Sequence, residues 1–431
     1  MNFRFLPAAL MANLLLGAGT APGADWPVYR GPQHDGTSTE KLPSKNWPAT
    51  GPKLIWRTPL TDGFSSFSVA GGKAFTLVKR SEEGVAREVC VALDTKNGKE
   101  LWAAQVGLAK YDGGGDSGTA DNKGGDGPRS TPSFDGNRVY VLSADLVLSC
   151  LDAGTGKAVW SKDLIKGNGA RNISWKNAAS PVIEGDLIFV CGGGDGQALL
   201  GIDKKDGKIV WKSENDKMTH ATPTLATIHG LRQVIFFTQS GLVSAETRTG
   251  KILWRYPFRF NVSTAAAPVV SGDFVYCSAG YGVGAGLAKV TKDGAGFKAE
   301  EVWRKTGDKP LANHWSTPVV KDGHLYGMFQ FKEYGSGPLK CVELATGIVK
   351  WEKPGFGPGN VILADNHVIA LSDKGEVVLI EANPATYKEV ARADVLDGKC
   401  WSTPVLSNGR IYARSTKEGV CLDLLTQTAM K

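Results

Sequence analysis

The sequence of 431 residues lacks the signatures of several classes of functional site. It contains no CxxCH motif for haem attachment, and its six histidines form no HExxH motif or other short-spaced cluster of zinc ligands. The basic residues are scattered, with no run of five or six, so the formal charge of +7 indicates solubility and not a nucleic-acid partner. We therefore expect neither a bound haem nor binding to DNA or RNA.

The seven cysteines do not form a disulfide pattern, because their number is odd and no two are adjacent. Cys150, Cys341 and Cys421 each lie two residues before an acid, and Cys191 and Cys277 each end an apolar segment. Their recurrence at equivalent positions of a repeat predicts small buried side chains in separate structural units.

Long apolar runs are also missing, apart from a short one at the amino terminus. Arg4 precedes the apolar stretch Leu10–Leu16, and a run of small residues follows before Asp25. This layout predicts a secretory signal peptide at residues 1–24, and hence export to the periplasm or the medium. The apolar stretch is shorter than the roughly 20 residues that span a bilayer, and the next cysteine is Cys90, so we expect no membrane or lipid anchor.

What the sequence contains instead is an internal repeat. One unit has an apolar strand ending in an acid, a turn with Asn-Gly, Thr-Gly or Asp-Gly, and a strand with tryptophan. Such turns between short apolar strands predict β-hairpins. We expect the tryptophans to pack between neighbouring units. The clearest copies are VALDTKNGKELW (91–102), SCLDAGTGKAVW (149–160), LGIDKKDGKIVW (200–211), VSAETRTGKILW (243–254) and KCVELATGIVKW (340–351).

A second hairpin unit alternates with the first and begins with a Ser/Thr-Pro step or a close variant. Proline is tolerated at the first residue of a strand, where it removes no ladder hydrogen bond. Examples are RSTPSFDGNRVYV (129–141), AASPVIEGDLIFV (178–190), WSTPVVKDGHLYG (315–327) and WSTPVLSNGRIYA (401–413).

Together the two units predict an all-β fold, an eight-bladed β-propeller of four-stranded blades. The chain begins with an unpaired outer strand at 53–60 and ends with a blade, at 401–425, that lacks one. Pairing these segments closes the ring and leaves no open sheet edge. Residues 25–52 are then an amino-terminal arm, and residues 53–431 are the propeller, which we expect to be monomeric.

The A-x-D-x-x-T-G-K-x-x-W unit resembles the pyrroloquinoline quinone (PQQ) repeat, over residues 53–431. That repeat occurs in quinoprotein alcohol dehydrogenases and in the outer-membrane assembly lipoprotein BamB. The opening DWPVYRGPQHDGTS (25–38) is similar to the amino-terminal signature of exported bacterial propellers of this type. The resemblance implies the fold and leaves the activity open, because function depends on the site that a fold carries.

The position three residues before the proline of the Ser/Thr-Pro step varies between blades, while the step itself recurs. These residues precede the innermost strands, so they should surround one mouth of the central channel. His314 lies one position earlier, beside Trp315. From blade 1 to blade 8 the column contains Phe64, Arg129, Ala178, His220, Ala265, Trp315, Pro358 and Trp401.

Trp315, Trp401, Phe64 and Arg129 form an aromatic arc that ends in a cation, on blades 6, 8, 1 and 2. Such an arc suits a small flat or anionic ligand, or the side chain of a protein partner. The alternative is that these bulky groups close the channel and bind nothing.

The resemblance to quinoproteins implies PQQ with a bound Ca²⁺, which needs carboxylate or amide ligands and an acidic base. The column contains no acid. The nearest candidates are Asp62, Asn177 and Asn360. We therefore favour a non-catalytic binding or scaffolding module of the bacterial cell envelope, with an envelope protein as partner. The alternative is a PQQ- and Ca²⁺-dependent dehydrogenase of alcohols such as polyvinyl alcohol.

Overall fold

The computed structural model describes residues 24–48, 50–111, 127–260, 262–294, 296–330 and 335–425. The predicted signal peptide therefore lies outside the described residues, except for residue 24. Eight sheets surround a central channel, and in each the four blade strands run antiparallel from an inner to an outer strand. The inner strands start at what we call the upper mouth and end at the lower mouth. The predicted all-β, eight-bladed propeller of four-stranded blades is confirmed.

In chain order, the strands of the first four blades have the following bounds. Blade 1 contains Ser68–Ala70, Lys73–Glu82, Val85–Asp94 and Glu100–Leu108; blade 2 contains Ser133–Asp135, Arg138–Leu142, Val147–Asp152 and Ala158–Asp163; blade 3 contains Val182–Glu184, Leu187–Cys191, Leu199–Asp203 and Ile209–Ser213; blade 4 contains Thr224–Ile228, Leu231–Thr238, Gly241–Glu246 and Ile252–Pro257.

The other four blades follow the same order. Blade 5 contains Val269–Ser271, Phe274–Ala279, Gly284–Asp293 and Gly296–Lys305; blade 6 contains Val319–Lys321, His324–Met328, Leu339–Glu343 and Ile348–Lys353; blade 7 contains Asn360–Ala364, His367–Leu371, Glu376–Glu381 and Glu389–Asp394; blade 8 contains Val405–Ser407, Arg410–Arg414 and Glu418–Asp423. Two short helices, Leu164–Asn168 and Asp308–Leu311, lie in loops between strands, and none of the described helices is long and apolar enough to cross a membrane.

The ring closes as the sequence predicts. Lys53–Pro59 pairs antiparallel with Glu418–Asp423 and supplies the outer strand of blade 8. The first and last strands of the propeller therefore lie in one sheet, so that unfolding either end opens the ring. All seven cysteines are free and buried, which confirms that they are small core side chains.

The outer-strand tryptophans join neighbouring blades. The Trp102 indole N–H donates to the carbonyl of Ala153 in the next blade, at 3.1 Å. Its ring covers the turn glycine Gly156, where an added Cβ would lie 2.6 Å from the ring and where φ is +72°. The glycine is needed both for the turn and for the contact. Equivalent hydrogen bonds to the next blade start from Trp56, Trp160, Trp211, Trp303 and Trp351.

Trp254 departs from this arrangement. Its indole N–H donates to the side chain of Gln233 in its own blade, at 2.6 Å. The reason is the next blade, whose two outer strands extend to a turn between Asp293 and Gly296. In other blades, a carbonyl at the turn of this hairpin accepts the tryptophan N–H. Because the hairpin of blade 5 is longer, its turn lies farther out than that position.

The amino-terminal arm lies across the lower mouth. Trp26 exchanges two backbone hydrogen bonds with the inner strand of blade 1, each 2.7 Å long. Thr37–Ser38 adds a parallel strand to blade 7. Glu40 then accepts the backbone N–H groups of Asn408 and Gly409 in blade 8, at 2.9 and 2.7 Å. These contacts fix the arm at three blades, an arrangement that the sequence does not predict.

Candidate functional site

Hydrogen bonds between the Ser/Thr-Pro steps position the upper-mouth residues. The backbone N–H of Ser66 donates to the Thr131 hydroxyl, and that of Thr131 donates to the Ser180 hydroxyl, at 3.0 and 2.9 Å. In the same way, the backbone N–H of Ser180 donates to the Thr222 hydroxyl, and that of Thr403 donates to the Ser66 hydroxyl. The repeated step is therefore a blade-to-blade link that fixes the backbone in front of each inner strand. The sequence predicts its structural role but not these links.

Three column residues meet in one aromatic stack, which we define as Phe64, Trp401 and Trp315. The Phe64 and Trp401 ring centroids are 4.8 Å apart with an interplanar angle of 28°, and those of Trp401 and Trp315 are 4.7 Å apart. Phe64 and Trp401 are each 8% exposed. Offset stacking of this kind adds to the burial energy of the rings. Trp401 is therefore in contact with two neighbouring rings.

Blade 7 allows the two tryptophans to meet, because its segment at the mouth has almost no side chains. The Trp315 indole N–H donates to the Pro358 carbonyl at 2.9 Å. A Cβ at Gly357 would lie 2.3 Å from the Asp373 carboxyl, and one at Gly359 would lie 1.9 Å from a backbone oxygen. The Gly-Pro-Gly sequence thus removes the side chain that would separate blades 6 and 8.

The stack continues into partly exposed groups. The Trp315 and His314 ring centroids are 5.2 Å apart, and His314 meets Tyr281 edge-to-face at 5.1 Å. Tyr281 is 41% exposed. The Lys399 ammonium lies 4.7 Å from the Trp401 ring centroid. These residues form an aromatic and cationic rim that contains two members, Tyr281 and Lys399, absent from the predicted site.

Arg129 and His220 occupy a different part of the upper mouth. The Arg129 guanidinium lies 5.1 Å from the Tyr111 ring centroid and donates to the Trp175 carbonyl at 2.7 Å. The His220 Nδ1 lies 2.6 Å from the Ser263 hydroxyl. Burial, followed by the charge of Arg129, lowers the pKa of His220 to about 3, so this imidazole is neutral at pH 7.

Trp175 belongs to a loop that the sequence does not place at the mouth. It has φ of +65°, and the next residue, Lys176, has φ of +62°. Left-handed backbone costs about 1–3 kcal/mol for such residues and is concentrated at binding and active sites. The Lys176 ammonium is 3.0 Å from the Asp145 carboxylate. The loop therefore has a strained backbone conformation beside Arg129 and His220.

Two buried acids near the upper mouth also come from outside the predicted column. Glu88 accepts the Tyr111 hydroxyl and the Ala144 backbone N–H at 2.9 and 2.8 Å. Burial raises the pKa of Glu88 to about 7. Asp373 accepts the Gly335 backbone N–H at 2.7 Å, and burial raises its pKa as well. Each Glu88 oxygen therefore has a partner, whereas Asp373 Oδ1 is buried without a hydrogen bond among the described residues.

The three candidate Ca²⁺ ligands belong to separate segments of the ring and have their own partners. Asp62 is near Lys79, with 3.7 Å between the Oδ2 and Nζ atoms. Asn177 hydrogen-bonds through both side-chain atoms to the backbone of its own loop, at 3.0 Å each. Asn360 donates to the Trp401 carbonyl at 2.7 Å. Such side chains do not fit the cage of six to eight oxygens that Ca²⁺ requires.

Two further observations argue against the PQQ site that the fold family implies. Within the described ranges, no group of three or more His, Cys, Asp or Glu side chains could hold a metal ion. In addition, Phe64 and Trp315 already pack against Trp401, the ring on which a flat ligand could otherwise stack. The residues at this mouth therefore do not fit PQQ with Ca²⁺.

The fold and its blade-joining tryptophans define a β-propeller of the PQQ-repeat class. Residues 86–353, more than half of the chain, match the family described as outer membrane protein assembly factor BamB. The chain belongs to this family.

Sequence comparison finds curated relatives with low identity. BamB of Shewanella oneidensis is 24% identical over 242 residues, covering 52% of this chain and 56% of the relative. BamB of Burkholderia pseudomallei is 28% identical over 284 residues, covering 64% and 68%. Quinohemoprotein alcohol dehydrogenase ADH IIB of Pseudomonas putida is 31% identical over 129 residues, covering 28% and 17%. The chain thus spans only a little over half the length of the Shewanella relative.

Two solved structures share the propeller fold. BamB from Moraxella catarrhalis superposes with a TM-score of 0.59 at 17% identity, covering 88% of this chain and 98% of that one. Quinohemoprotein alcohol dehydrogenase from Comamonas testosteroni superposes with a TM-score of 0.65 at 14% identity, covering 96% and 82%. At such identities the likeness extends to the fold alone.

Proposed function

We propose that this protein is an exported, non-catalytic binding or scaffolding module of the bacterial cell envelope. The observation that carries the proposal is the rim of the upper mouth, where a packed aromatic stack ends in exposed aromatic and cationic groups. Membership of the BamB family supports an envelope role. The predicted signal peptide supports export. An envelope protein is then the partner.

The rim has the composition of a protein-binding surface. Tyrosine, tryptophan and arginine dominate the binding energy of interfaces, where they lie on well-packed supports. Tyr281 and Trp315 provide such groups, and Lys399 adds a positive charge next to them. A partner that presents an aromatic or acidic side chain matches this chemistry. A small flat or anionic ligand would use the same contacts.

Site-specific photo-crosslinking tests this proposal in the organism's own cells. A photoreactive amino acid replaces Tyr281, which is 41% exposed at the rim, or Val210, which is 53% exposed on an outer strand. We expect a discrete adduct with one envelope protein from position 281 and none with that protein from position 210.

A second substitution makes the crosslinking test specific to the rim. Adding Trp315→Ala to the variant labelled at position 281 should weaken the adduct, because the ring that supports the rim is lost. Equal adducts from positions 281 and 210, or an adduct that Trp315→Ala leaves unchanged, would contradict the proposed role of the upper mouth.

A further inference from the structure

A second concave site lies at the lower mouth, between the arm and blades 4 and 5. It is a cavity of about 300 Å³, a volume in the range of small-molecule sites. The arm contributes one side of its lining, and the inner hairpin of blade 4 contributes most of the other. The polar residues that matter for its chemistry are Arg30, His34, Asp35, Thr224 and Arg232.

Arg30 is a buried cation without a carboxylate partner. Its side chain is 3% exposed and donates to the carbonyls of Thr317, Pro318 and Asp35, at 3.0, 2.9 and 2.6 Å. No carboxylate in the described part of the chain forms an ion pair with it. Carbonyl groups satisfy the hydrogen bonds of a guanidinium but do not neutralise its charge, and an uncompensated buried charge is costly.

His34 is a second buried polar residue in the lining of this cavity. It is 7% exposed, and its ring nitrogens form no hydrogen bond with another described residue. Burial, and then the nearby charge of Arg232, lowers the pKa of His34 to about 4. At pH 7 the ring is neutral, so it offers one N–H donor and one acceptor nitrogen.

Arg232 contributes less to the binding of an anion because its charge is already paired. It forms two hydrogen bonds with the Glu184 carboxylate, at 2.9 and 3.0 Å. The exposed Asp35 carboxylate accepts the Thr37 backbone N–H at 2.8 Å. Burial lowers the pKa of Arg30, and the nearby charge of Asp35 offsets this only in part, so Arg30 is the cation beside the cavity that no carboxylate of the described residues pairs.

We propose that this cavity binds a small organic or inorganic anion, attracted by the charge of Arg30 and hydrogen-bonded by His34. The ligand class is a molecule with a carboxylate or phosphate group and a size that suits the cavity. Because the arm supplies both residues, the anion also stabilises the docked arm. This site is distinct from the upper mouth and does not depend on the function proposed for it.

Two probe anions, inorganic phosphate and succinate, test the site and separate phosphate from carboxylate recognition. Each is titrated into the full protein at constant ionic strength while the ring ¹⁵N signals of His34 are followed by NMR. The His34→Gln variant assigns these signals. We expect a saturable shift of the His34 signals with at least one probe. The same probe should slow tryptic cleavage after Lys41, in the arm.

Substitutions of Arg30 separate its charge from its packing. Arg30→Gln should weaken binding at least about tenfold, since it removes a charge-assisted contact. Arg30→Lys should retain most of the affinity because it keeps the charge. Arg248→Gln removes an exposed charge from a blade 4 turn and serves as the control.

Three results would each overturn the anion site. One is the absence of a saturable His34 shift with both probes at tens of millimolar. Another is equal affinity in wild type and Arg30→Gln. The third is an equal loss of affinity in Arg30→Lys and Arg30→Gln, since Arg30 would then act by packing and not by charge.

Discussion

At the scale of single residues, Trp401 is the member of the aromatic stack that contacts both other rings. It packs between Phe64 and Trp315 and is almost fully buried. Replacing a buried tryptophan by alanine loses both ring contacts and leaves a cavity. We expect Trp401→Ala to lower the free energy of unfolding by about 3–5 kcal/mol.

Urea unfolding measures the free energy of unfolding of Trp401→Ala and wild type, and the comparison is valid if the two proteins have the same m-value. Trp401→Phe is the matched control, since it keeps an aromatic ring between its neighbours and should cost clearly less. If the alanine variant were as stable as wild type, the stack would not contribute to the core, and its rings would be available to a ligand instead.

Glu88 should make the free energy of unfolding depend measurably on pH. Its pKa in the folded state, about 7, lies above the ordinary value of 4.5 because of burial. The stability that the protonated carboxyl contributes is therefore complete below about pH 4.5 and is lost as the pH rises through about 7. The loss is at most about 3–4 kcal/mol.

Glu88→Gln should flatten this part of the stability profile, because its neutral amide does not titrate. The measurement is the free energy of unfolding of both proteins between pH 4.5 and 8. Glu300→Gln, at an exposed position, should keep the wild-type profile. If the free energy of unfolding of Glu88→Gln and of wild type changed with pH in parallel, Glu88 would not be the group that causes the pH dependence.

The residues at the mouth also show what the sequence can predict. The column containing Trp315 and Trp401 follows from the repeat, since equivalent positions of a repeat share a place in the fold. Trp175, Tyr281 and Asp373 lie in connecting loops, whose paths carry no periodicity. The unusual φ of Trp175 has no sequence signal, because left-handed backbone is expected at glycine and not at tryptophan.

At the scale of elements, the hydroxyl links between blades explain why the Ser/Thr-Pro step recurs. Thr131→Val removes the acceptor for the buried Ser66 N–H while keeping the side-chain volume. An unsatisfied buried donor costs about 1–3 kcal/mol, so we expect a loss of that size in the free energy of unfolding.

Thr131→Ser is the control for the hydroxyl link, because it keeps the oxygen and should lose less stability than the valine variant. Amide hydrogen exchange gives an independent measurement, with faster exchange expected at Ser66 in Thr131→Val. Unchanged exchange at Ser66 would show that the link does not protect this amide.

The position of the arm does not follow from the periodic pattern of the sequence. Residues 25–52 contain no copy of either hairpin unit, so the sequence separates them from the propeller but assigns them no position. Their position depends on contacts between distant residues, such as Glu40 with the turn at Asn408 and Gly409. One consequence is that Arg30 and His34, which line the cavity beside the arm, are absent from the site residues predicted from the sequence.

At the scale of the whole molecule, the blade count and the closure of the ring follow from the sequence. Each unit has a strand–turn–strand pattern, and the unpaired strand at 53–60 has one complementary place, in blade 8. Activity does not follow in the same way, because dehydrogenases and envelope proteins share this scaffold. The proposed function therefore depends on side chains that only the folded chain brings together.

The most direct test of a non-catalytic role is a titration of the purified protein with PQQ and Ca²⁺. Thermal stability and dye reduction with a panel of alcohols are followed together. We predict no shift in Tm and no turnover, because Phe64 and Trp315 already pack against Trp401 and each candidate Ca²⁺ ligand already has its own partner. Saturable stabilisation accompanied by alcohol-dependent dye reduction would contradict the account and identify a quinoprotein dehydrogenase.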